Sequence, residues 1–477
     1  MGYVAVRGGG RAIEESLRLL EAERVSTGAD ASAAAVESTL PDLVDQVMGE
    51  ASLYAPRLAA LALKQAQGSP DEAVFLLRAF RSTLERPYVS RAVDTAGMYV
   101  RRRISAAFKD VPGGQVLGAT RDYSHRLVDF DLASEGAAER ADRARALSSH
   151  FAAAELQALR ATDEVLRAAD EDGADPLAAC GRLPRALDYL RDQGLLAPAP
   201  PAGAVAPPDD ATMTPLVIPA SRSMRLQTLA RGMTQAVEAL GYAAIRGFGP
   251  AHPTVGELRS GLVEVVIDRP LGTGELADAY YAGTVSVTEV ESLFMADARD
   301  GGDAGAGSGG VGDGAGAEPD GGESAAEGAG SGPDSAGDGA DAGLAFEVGY
   351  GMVFGRCESK AIAMSVLDRC LEIGDARYPT QDEEFVLYHV DGVEASGFIS
   401  HLKLPHYVTF QSKLSSVRAT RAPGAGPSSP VEPSSPSEPA AASASSSPAG
   451  SDVGAAPDSP DQPRQEDAEG GADAATL

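Results

Sequence analysis

Apolar side chains recur every three or four positions over several stretches of the chain, and this spacing predicts helices. The clearest case is SPDEAVFLLRAFRSTL, which has Ser69 at the N-cap, Pro70 at the first helical position and Glu72 three residues after the cap. The pattern of ESKAIAMSVLDRCLEIG predicts a second helix that ends before Gly374. RLQTLARGMTQAVEALG predicts another single helix, with Gly241 in the C′ position.

Strand-like patterns occur in the second half of the chain. LVEVVID at 262–268 is rich in β-branched residues, and Val285, Val287 and Val290 continue this character. EEFVLYH alternates apolar and polar positions and is also predicted to be a strand. Helices followed by a mixture of helices and strands predict an α+β fold, with a mainly helical N-terminal part and a mixed α/β C-terminal part.

Composition divides the chain into segments. A Pro/Ala-rich linker, a Gly/Ala/Asp-rich insertion and a Ser/Pro/Ala/acid-rich tail contain no periodic apolar set, and the insertion and the tail are therefore predicted to be disordered. The predicted organisation is a mainly helical region at 1–196, a linker at 197–212, a mixed region at 213–298 and 344–421, a disordered acidic insertion at 299–343 and a disordered tail at 422–477.

The net charge of −29 comes largely from those two acidic segments. The insertion carries ten acidic residues against one arginine, so the charge reflects a solvated segment more than a surface for basic partners. No nucleic acid or membrane partner is expected. Three cysteines without a CxxC pair favour a reducing compartment, and no apolar run is long enough to span a bilayer, so a cytoplasmic protein is predicted.

Four cations lie close together in VRRRISAAFKD, namely Arg101, Arg102, Arg103 and Lys109. Guanidinium groups suit phosphate or phosphonate oxygens, and the following PGGQVLG turn lets backbone N–H groups approach an anion. The segment is therefore a candidate substrate-binding site. A solvated basic helix face or a contact with another subunit is the alternative.

A candidate catalytic pair follows in DYSHR, where His125 stands close to Asp122. An imidazole side chain can handle a leaving-group proton near neutral pH. A hydrogen-bonded structural histidine is the alternative interpretation.

His401 and His406 in GFISHLKLPHY are candidate metal ligands. Five positions on a helix turn the second imidazole about 140° from the first, so joint ligation needs a bend, for which Pro405 is suited. Two histidines cannot complete a four-coordinate zinc site, and Cys370 is better explained as a core residue on its helix. His389 is a weaker third candidate, and ordinary structural histidines remain the alternative.

Several long segments resemble one family, the PhnI proteins: ASLYAPRLAALALKQAQGSPDEAVFLLRAFRSTL, VDTAGMYVRRRISAAFKDVPGGQVLGATRDYSHRLVDF, RLQTLARGMTQAVEALGYAAIRGFG, GYGMVFGRCESKAIAMSVLDR and QDEEFVLYHVDGVEASGFISHLKLPHY. The resemblance covers roughly residues 3–135 and 213–413 apart from the insertion. It implies a subunit of the carbon–phosphorus lyase core complex with PhnG, PhnH and PhnJ. With PhnL, that complex converts ATP and methylphosphonate to α-D-ribose 1-methylphosphonate 5-triphosphate and adenine.

The resemblance also implies purine nucleosidase-type chemistry at the ribose anomeric carbon, and a zinc ion that His401 and His406 bind facing PhnJ. The chain has no GxxxxGK[ST] loop and no iron–sulfur cysteine set, so it is predicted neither to be a P-loop ATPase nor to break the carbon–phosphorus bond. Two rivals stay open: a scaffold that organises PhnG, PhnH and PhnJ, and a stand-alone purine nucleosidase.

Overall fold

The computed structural model describes residues 9–111, 113–152, 183–196, 208–248, 253–268, 279–295, 345–404 and 406–421. The predicted acidic insertion and tail lie outside these residues, as does most of the predicted linker. The chain divides into two compact units, Met1–Pro405 and His406–Leu477.

The helices with defined ends are α1 Gly9–Val25, α2 Ala33–Thr39, α3 Pro41–Ala51, α4 Pro56–Gln65, α5 Pro70–Arg81, α6 Asp188–Asp192, α7 Arg222–Arg231, α8 Thr234–Ala243, α9 Glu358–Ile373, α10 Glu383–His389, α11 Gly392–His401 and, in the second unit, α12 Tyr407–Arg421. Residues 137–152 are also helical. Short 3₁₀ turns occur at Thr95–Gly97 and Phe130–Ala133, and a π-turn at Ala244–Phe248 follows α8. No helix within the described ranges is long and apolar enough to cross a bilayer.

Four antiparallel strands form one sheet in the order β1-β2-β3-β4, and their bounds are β1 Tyr99–Ile104, β2 Thr254–Asp268, β3 Ala279–Met295 and β4 Phe346–Phe354. Together with the helices, this sheet confirms the predicted α+β class. The strands predicted around Val265 and Val287 are confirmed as parts of β2 and β3. Strand β1 comes from the predicted helical region and pairs with β2.

Helix α9 covers one face of the sheet, where two glycines of β4 let it approach closely. A Cβ atom on Gly349 would lie 2.0 Å from the backbone oxygen of Ser365, and one on Gly351 would lie 2.1 Å from that of Ala361. Apolar side chains of this face, including Val290 and Val353, belong to the same buried cluster as Met364 of α9. The segment 183–196 lies on the opposite face, where the N–H of Ala186 donates to Glu257.

The first five helices contain a separate apolar core from α2 to α5. The predicted cap of α5 is confirmed, since the Ser69 hydroxyl accepts a hydrogen bond from the backbone N–H of Glu72 at 3.4 Å. Arg78 of this helix contacts Asp391 at 2.6 Å, and the pair is largely buried. This ion pair joins the N-terminal helices to the start of α11.

Two sequence predictions of local structure were wrong. EEFVLYH is helix α10, because the Asp382 side chain caps it by accepting from the N–H of Phe385 at 3.0 Å. Gly241 lies inside α8, where its missing side chain lets α8 pack against Ala363 of α9, and the single predicted helix is broken after Arg231. In both cases a cap or a packing contact outweighed a short local pattern.

Candidate functional site

Strand β1 places two neighbouring arginines on opposite faces of the sheet, because side chains alternate along a strand. Arg102 is 7% exposed and Arg103 is 1% exposed, whereas Arg101 and Lys109 are exposed. The four predicted substrate-binding cations are thus not gathered on one surface. They divide into two buried side chains with acidic partners and two that reach solvent.

Arg102 holds two carboxylates. Its Nε donates to Glu358 Oε1 at 2.6 Å, its Nη2 to Asp122 Oδ2 at 2.5 Å and its Nη1 to the backbone oxygen of Leu117 at 2.5 Å. The structure therefore brings the predicted Asp122 to the predicted Arg102, and adds Glu358 from the first turn of α9. We call Arg102, Asp122 and Glu358 the Arg102 cluster.

The loop that carries Asp122 lies tightly against β1. Gly118 has a φ of +61°, and a Cβ atom there would lie 2.7 Å from the backbone oxygen of Arg101, so glycine is needed for this close approach. His125 is exposed on the same loop, and Arg126 contacts Asp122 at 3.7 Å. The loop thus presents the predicted catalytic residues at the surface.

Two further arginines, which lie close in sequence to Asp122 and Glu358, both contact Asp42 at the start of α3. Arg121 contacts Asp42 at 2.8 Å, and Arg356 contacts it at 2.9 Å. The backbone N–H of Arg356 also donates to Asp45 at 3.0 Å, and burial raises the pKa of Asp45. These contacts join α3, the 117–126 loop and the turn before α9 at one place.

The Arg102 cluster can act on a cationic or phosphorylated substrate. Within it, the Asp122 side chain is 50% exposed and that of Glu358 is 25% exposed, so both carboxylates can meet a ligand while Arg102 restrains their orientation. Carboxylates held in this way stabilise positive charge that develops in a transition state. Exposed guanidinium groups nearby suit phosphate oxygens.

Arg103 contacts a different set of residues, on the opposite face of the sheet. Its Nε contacts Glu257 at 2.6 Å, with both side chains almost fully buried, and its Nη2 donates to the backbone oxygen of Pro184 at 2.6 Å. Glu257 in turn accepts from the N–H of Ala186 at 3.0 Å. The Arg103–Glu257 pair therefore fastens the segment 183–196 to the sheet.

The predicted metal ligands lie at the end of the described chain. His401 ends α11 in the first unit, His406 opens the second unit, and both are exposed. His389 lies against the ring of Phe385, and its Nδ1 is 2.6 Å from the backbone oxygen of that residue. Among the described residues no group of three or more His, Cys, Asp or Glu is placed to hold a metal ion.

Two further side chains, Lys360 and Cys370, have structural roles. Lys360 is buried and donates to the backbone oxygens of Ala230 and Gly232, both at 2.7 Å, at the end of α7. Cys370 is fully buried, as its helical position predicted, and burial raises its pKa to about 12. Its thiol therefore stays protonated near neutral pH.

Sequence reasoning missed a polar cluster on the Arg103 face, formed by Glu289, Glu291, Arg185 and Tyr350. The signal available was TEVES, where two acidic residues recur with the period of a strand inside an otherwise uncharged β3. Such a pattern places both carboxylates on one face of a sheet that is covered by other chain segments.

The sequence profile of the family described as "Bacterial phosphonate metabolism protein (PhnI)" matches residues 2–312 and 334–423. The putative C–P lyase subunit protein HtxH of Stutzerimonas stutzeri is 41% identical over 429 residues, which cover 88% of this chain and 96% of that protein. The α-D-ribose 1-methylphosphonate 5-triphosphate synthase subunit PhnI of Escherichia coli (strain K12) is 40% identical, with 87% and 97% covered. The protein of the same name from Rhizobium meliloti (strain 1021) is 38% identical, with 88% and 95% covered.

Proposed function

Because the chain belongs to the PhnI family of bacterial phosphonate metabolism proteins, we propose that it displaces adenine from ATP with methylphosphonate and so gives α-D-ribose 1-methylphosphonate 5-triphosphate. The names of the two PhnI relatives, each a synthase subunit for that compound, support this reaction. The structural observation that carries the proposal is the Arg102 cluster, in which one buried arginine presents two carboxylates at the surface.

The proposed chemistry follows from the bond that changes. Loss of adenine from the ribose anomeric carbon develops positive charge on the sugar ring, as in glycoside cleavage, and a nearby carboxylate stabilises that charge. Asp122 is the more exposed carboxylate of the Arg102 cluster and takes this role. His125, on the same loop, donates a proton to the departing purine.

Substrate binding is assigned to the exposed members of the basic segment. Arg101 and Lys109 reach solvent and anchor the triphosphate or the phosphonate, while Arg102 positions the carboxylates. Arg103 acts indirectly, since its contacts with Glu257 and Pro184 maintain the sheet behind β1.

The test is adenine release, measured by chromatography with mass detection of the ribose product, from ATP and methylphosphonate. The assay uses the full chain alone and together with the proposed partners PhnG, PhnH, PhnJ and PhnL. Asp122→Asn is expected to lower the rate about 100-fold without loss of assembly. Asp110→Asn, at an exposed acid of the same segment, is the matched control and should leave the rate unchanged.

Full activity of Asp122→Asn would contradict the assigned role of the Arg102 cluster. A stable complex that releases no adenine would favour the scaffold hypothesis instead. Turnover of plain nucleosides by the chain alone would favour a stand-alone purine nucleosidase. Ribose product that appears only when the partners are present is the expected result.

A zinc ion is proposed to be bound by His401 and His406 together with ligands from a partner subunit, because structural zinc takes four ligands. Both imidazoles are exposed, which suits a site completed by another chain. Bound there, zinc would supply a Lewis acid for phosphonate or phosphate oxygens. His401→Ala and His406→Ala should each remove zinc from the purified complex in elemental analysis, whereas His150→Ala, at another exposed histidine, should not. Unchanged zinc in both variants would refute the site.

Assembly with PhnG, PhnH and PhnJ is also proposed. Large apolar side chains that follow the Asp122 loop stay exposed in the single chain, with Leu127 at 83%, Val128 at 76% and Phe130 at 81%. Exposed apolar clusters of this kind are typical of subunit contacts.

The described cysteines, Cys357 and Cys370, are free thiols, which supports the proposal of a reducing, cytoplasmic setting.

A further inference from the structure

A cavity of about 550 Å³ lies on the sheet face opposite α9. Its walls are largely apolar and come from Val263, Val265, Val285, Val287 and Phe354. One end is polar and includes Glu289, with Arg185 and Tyr350 beside it. A predominantly apolar pocket of this size with a few convergent polar groups is the usual form of a small-molecule site.

Glu289 has one oxygen that is fully engaged and one that is not. Oε1 accepts from Thr95 Oγ1 at 2.8 Å, from Tyr350 OH at 3.1 Å and from Arg185 Nη2 at 3.3 Å. Oε2 has no hydrogen-bond partner among the described residues, and it is shielded from solvent because the Glu289 side chain is only 4% exposed. Buried carboxylate oxygens are normally satisfied, so this one calls for a donor from a ligand.

The charges at the polar end are balanced within the protein. Arg185 contacts both Glu289 and Glu291, at 3.3 and 3.5 Å, and Arg259 lies directly opposite Glu289 in the sheet. Burial raises the pKa of Tyr350, so its hydroxyl remains a donor to Glu289. Asp94 also lines the cavity, so the described walls carry no surplus positive charge to attract a phosphate. The Nε and Nη1 atoms of Arg259 are likewise buried without a hydrogen-bond partner among the described residues, but Arg259 is not one of the residues that line the cavity, where the open group is the carboxylate oxygen of Glu289.

We propose that this cavity binds a small uncharged molecule that combines a flat apolar body with N–H or O–H donors, the chemical class to which free nucleobases belong. The donor group lies at Glu289 Oε2, and the body packs against the valines of β2 and β3. The proposal goes beyond the proposed reaction, since Arg102 and Arg103 alternate along β1 and the Arg102 cluster therefore belongs to the α9 side of the sheet.

The test is binding of adenine to the purified full chain, measured by equilibrium dialysis without any turnover. Glu289→Gln is expected to weaken binding at least about tenfold. In this variant, the amide oxygen accepts from the three donors that contact Oε1 in the wild type, so the amide NH₂ takes the place of Oε2. It then faces the donor group of the ligand and cannot accept from it. Val285→Phe, which fills the cavity without changing its charges, should weaken binding to a similar extent. Glu264→Gln, at an exposed acid of β2, is the matched control and should bind like the wild type.

Two competitors define the ligand class. An analogue without N–H donors, 6-dimethylamino-9-methylpurine, should not displace adenine, and sodium triphosphate should not displace it either. Wild-type affinity for adenine in both Glu289→Gln and Val285→Phe would overturn the proposal, and so would the absence of adenine binding to the wild type at millimolar concentration. Binding lost in Asp122→Asn but retained in Glu289→Gln would place adenine at the Arg102 cluster instead. None of these outcomes depends on whether the complex releases adenine from ATP.

Discussion

The buried side chain of Lys360 is expected to make the free energy of unfolding depend on pH. Its side chain is 2% exposed, and its ammonium group donates to two backbone oxygens at the end of α7, those of Ala230 and Gly232. Burial lowers the pKa of Lys360 from 10.5 to about 8 in the folded chain. Folding therefore depends on the protonation of this one group in a defined pH window.

The direction of the effect follows from proton linkage. Between pH 8 and 10.5 the unfolded chain holds a proton on Lys360 that the folded chain has released. The free energy of unfolding contributed by this group therefore rises with pH across that window and is constant on either side of it. The difference between the two pKa values corresponds to about 3 kcal/mol.

Lys360→Met keeps the length of the side chain and removes the titrating group. The free energy of unfolding should be measured by urea denaturation of the full chain at pH 7.5, 9 and 10.5. The wild type is expected to gain about 3 kcal/mol relative to the variant over this range. The unfolding free energy of the wild type has to be compared with that of the variant at each pH, because two buried thiols also titrate. Burial raises the pKa of Cys357 and of Cys370 to about 12, so the stability that these thiols contribute is lost as pH rises.

Lys109→Met, at an exposed lysine, is the control and should follow the wild type at every pH. If the free energy of unfolding changed with pH in the same way for the wild type and Lys360→Met, the reasoning would be refuted. That result would mean that the buried ammonium group keeps an ordinary pKa, so that its hydrogen bonds to the carbonyl oxygens compensate its loss of hydration.

Two further predictions concern packing and capping. Gly349→Ala should destabilise the fold by about 3 kcal/mol in thermal or urea unfolding, since the added carbon meets a backbone oxygen of α9. Gly397→Ala is the control and should be neutral or stabilising, because nothing lies within 4 Å of the added carbon there. Equal changes in unfolding free energy for the two variants would contradict the close approach of α9. Glu50→Ala should cost about 2 kcal/mol, because Glu50 accepts from the N–H and hydroxyl of Thr234 at 2.9 and 2.8 Å, and Glu50→Gln, which keeps an acceptor, should cost less. Equal unfolding free energies for the two Glu50 variants would show that this contact does not stabilise α8.

Local signals predicted many elements of the fold correctly. The capping residues of α5 and the β-branched runs of β2 and β3 act over a few positions, so a single sequence contains them in full. EEFVLYH was misassigned because seven residues carry too little periodicity to separate a strand from a helix. The N-cap role of Asp382 was the signal that distinguishes them.

The candidate site was only partly predictable. Asp122 and Arg102 were selected from one segment of sequence, and the structure places them in contact. Glu358 was not among the predicted site residues, because it joins them from a position 256 residues away in the chain. The roles of Asp122 and His125 in catalysis, and of His401 and His406 in zinc binding, remain predictions.

By itself, the sequence determined the cap of α5, the end of α9, parts of β2 and β3, the α+β class and the PhnI family, because caps, periodicity and long family segments are properties of neighbouring residues. Only the tertiary structure decided which charges meet. Arg102 and Arg103 are adjacent and chemically identical, yet one presents carboxylates to solvent and the other is buried against Glu257. The reason is the alternation of side chains across a sheet, whose two faces are covered by segments distant in the chain.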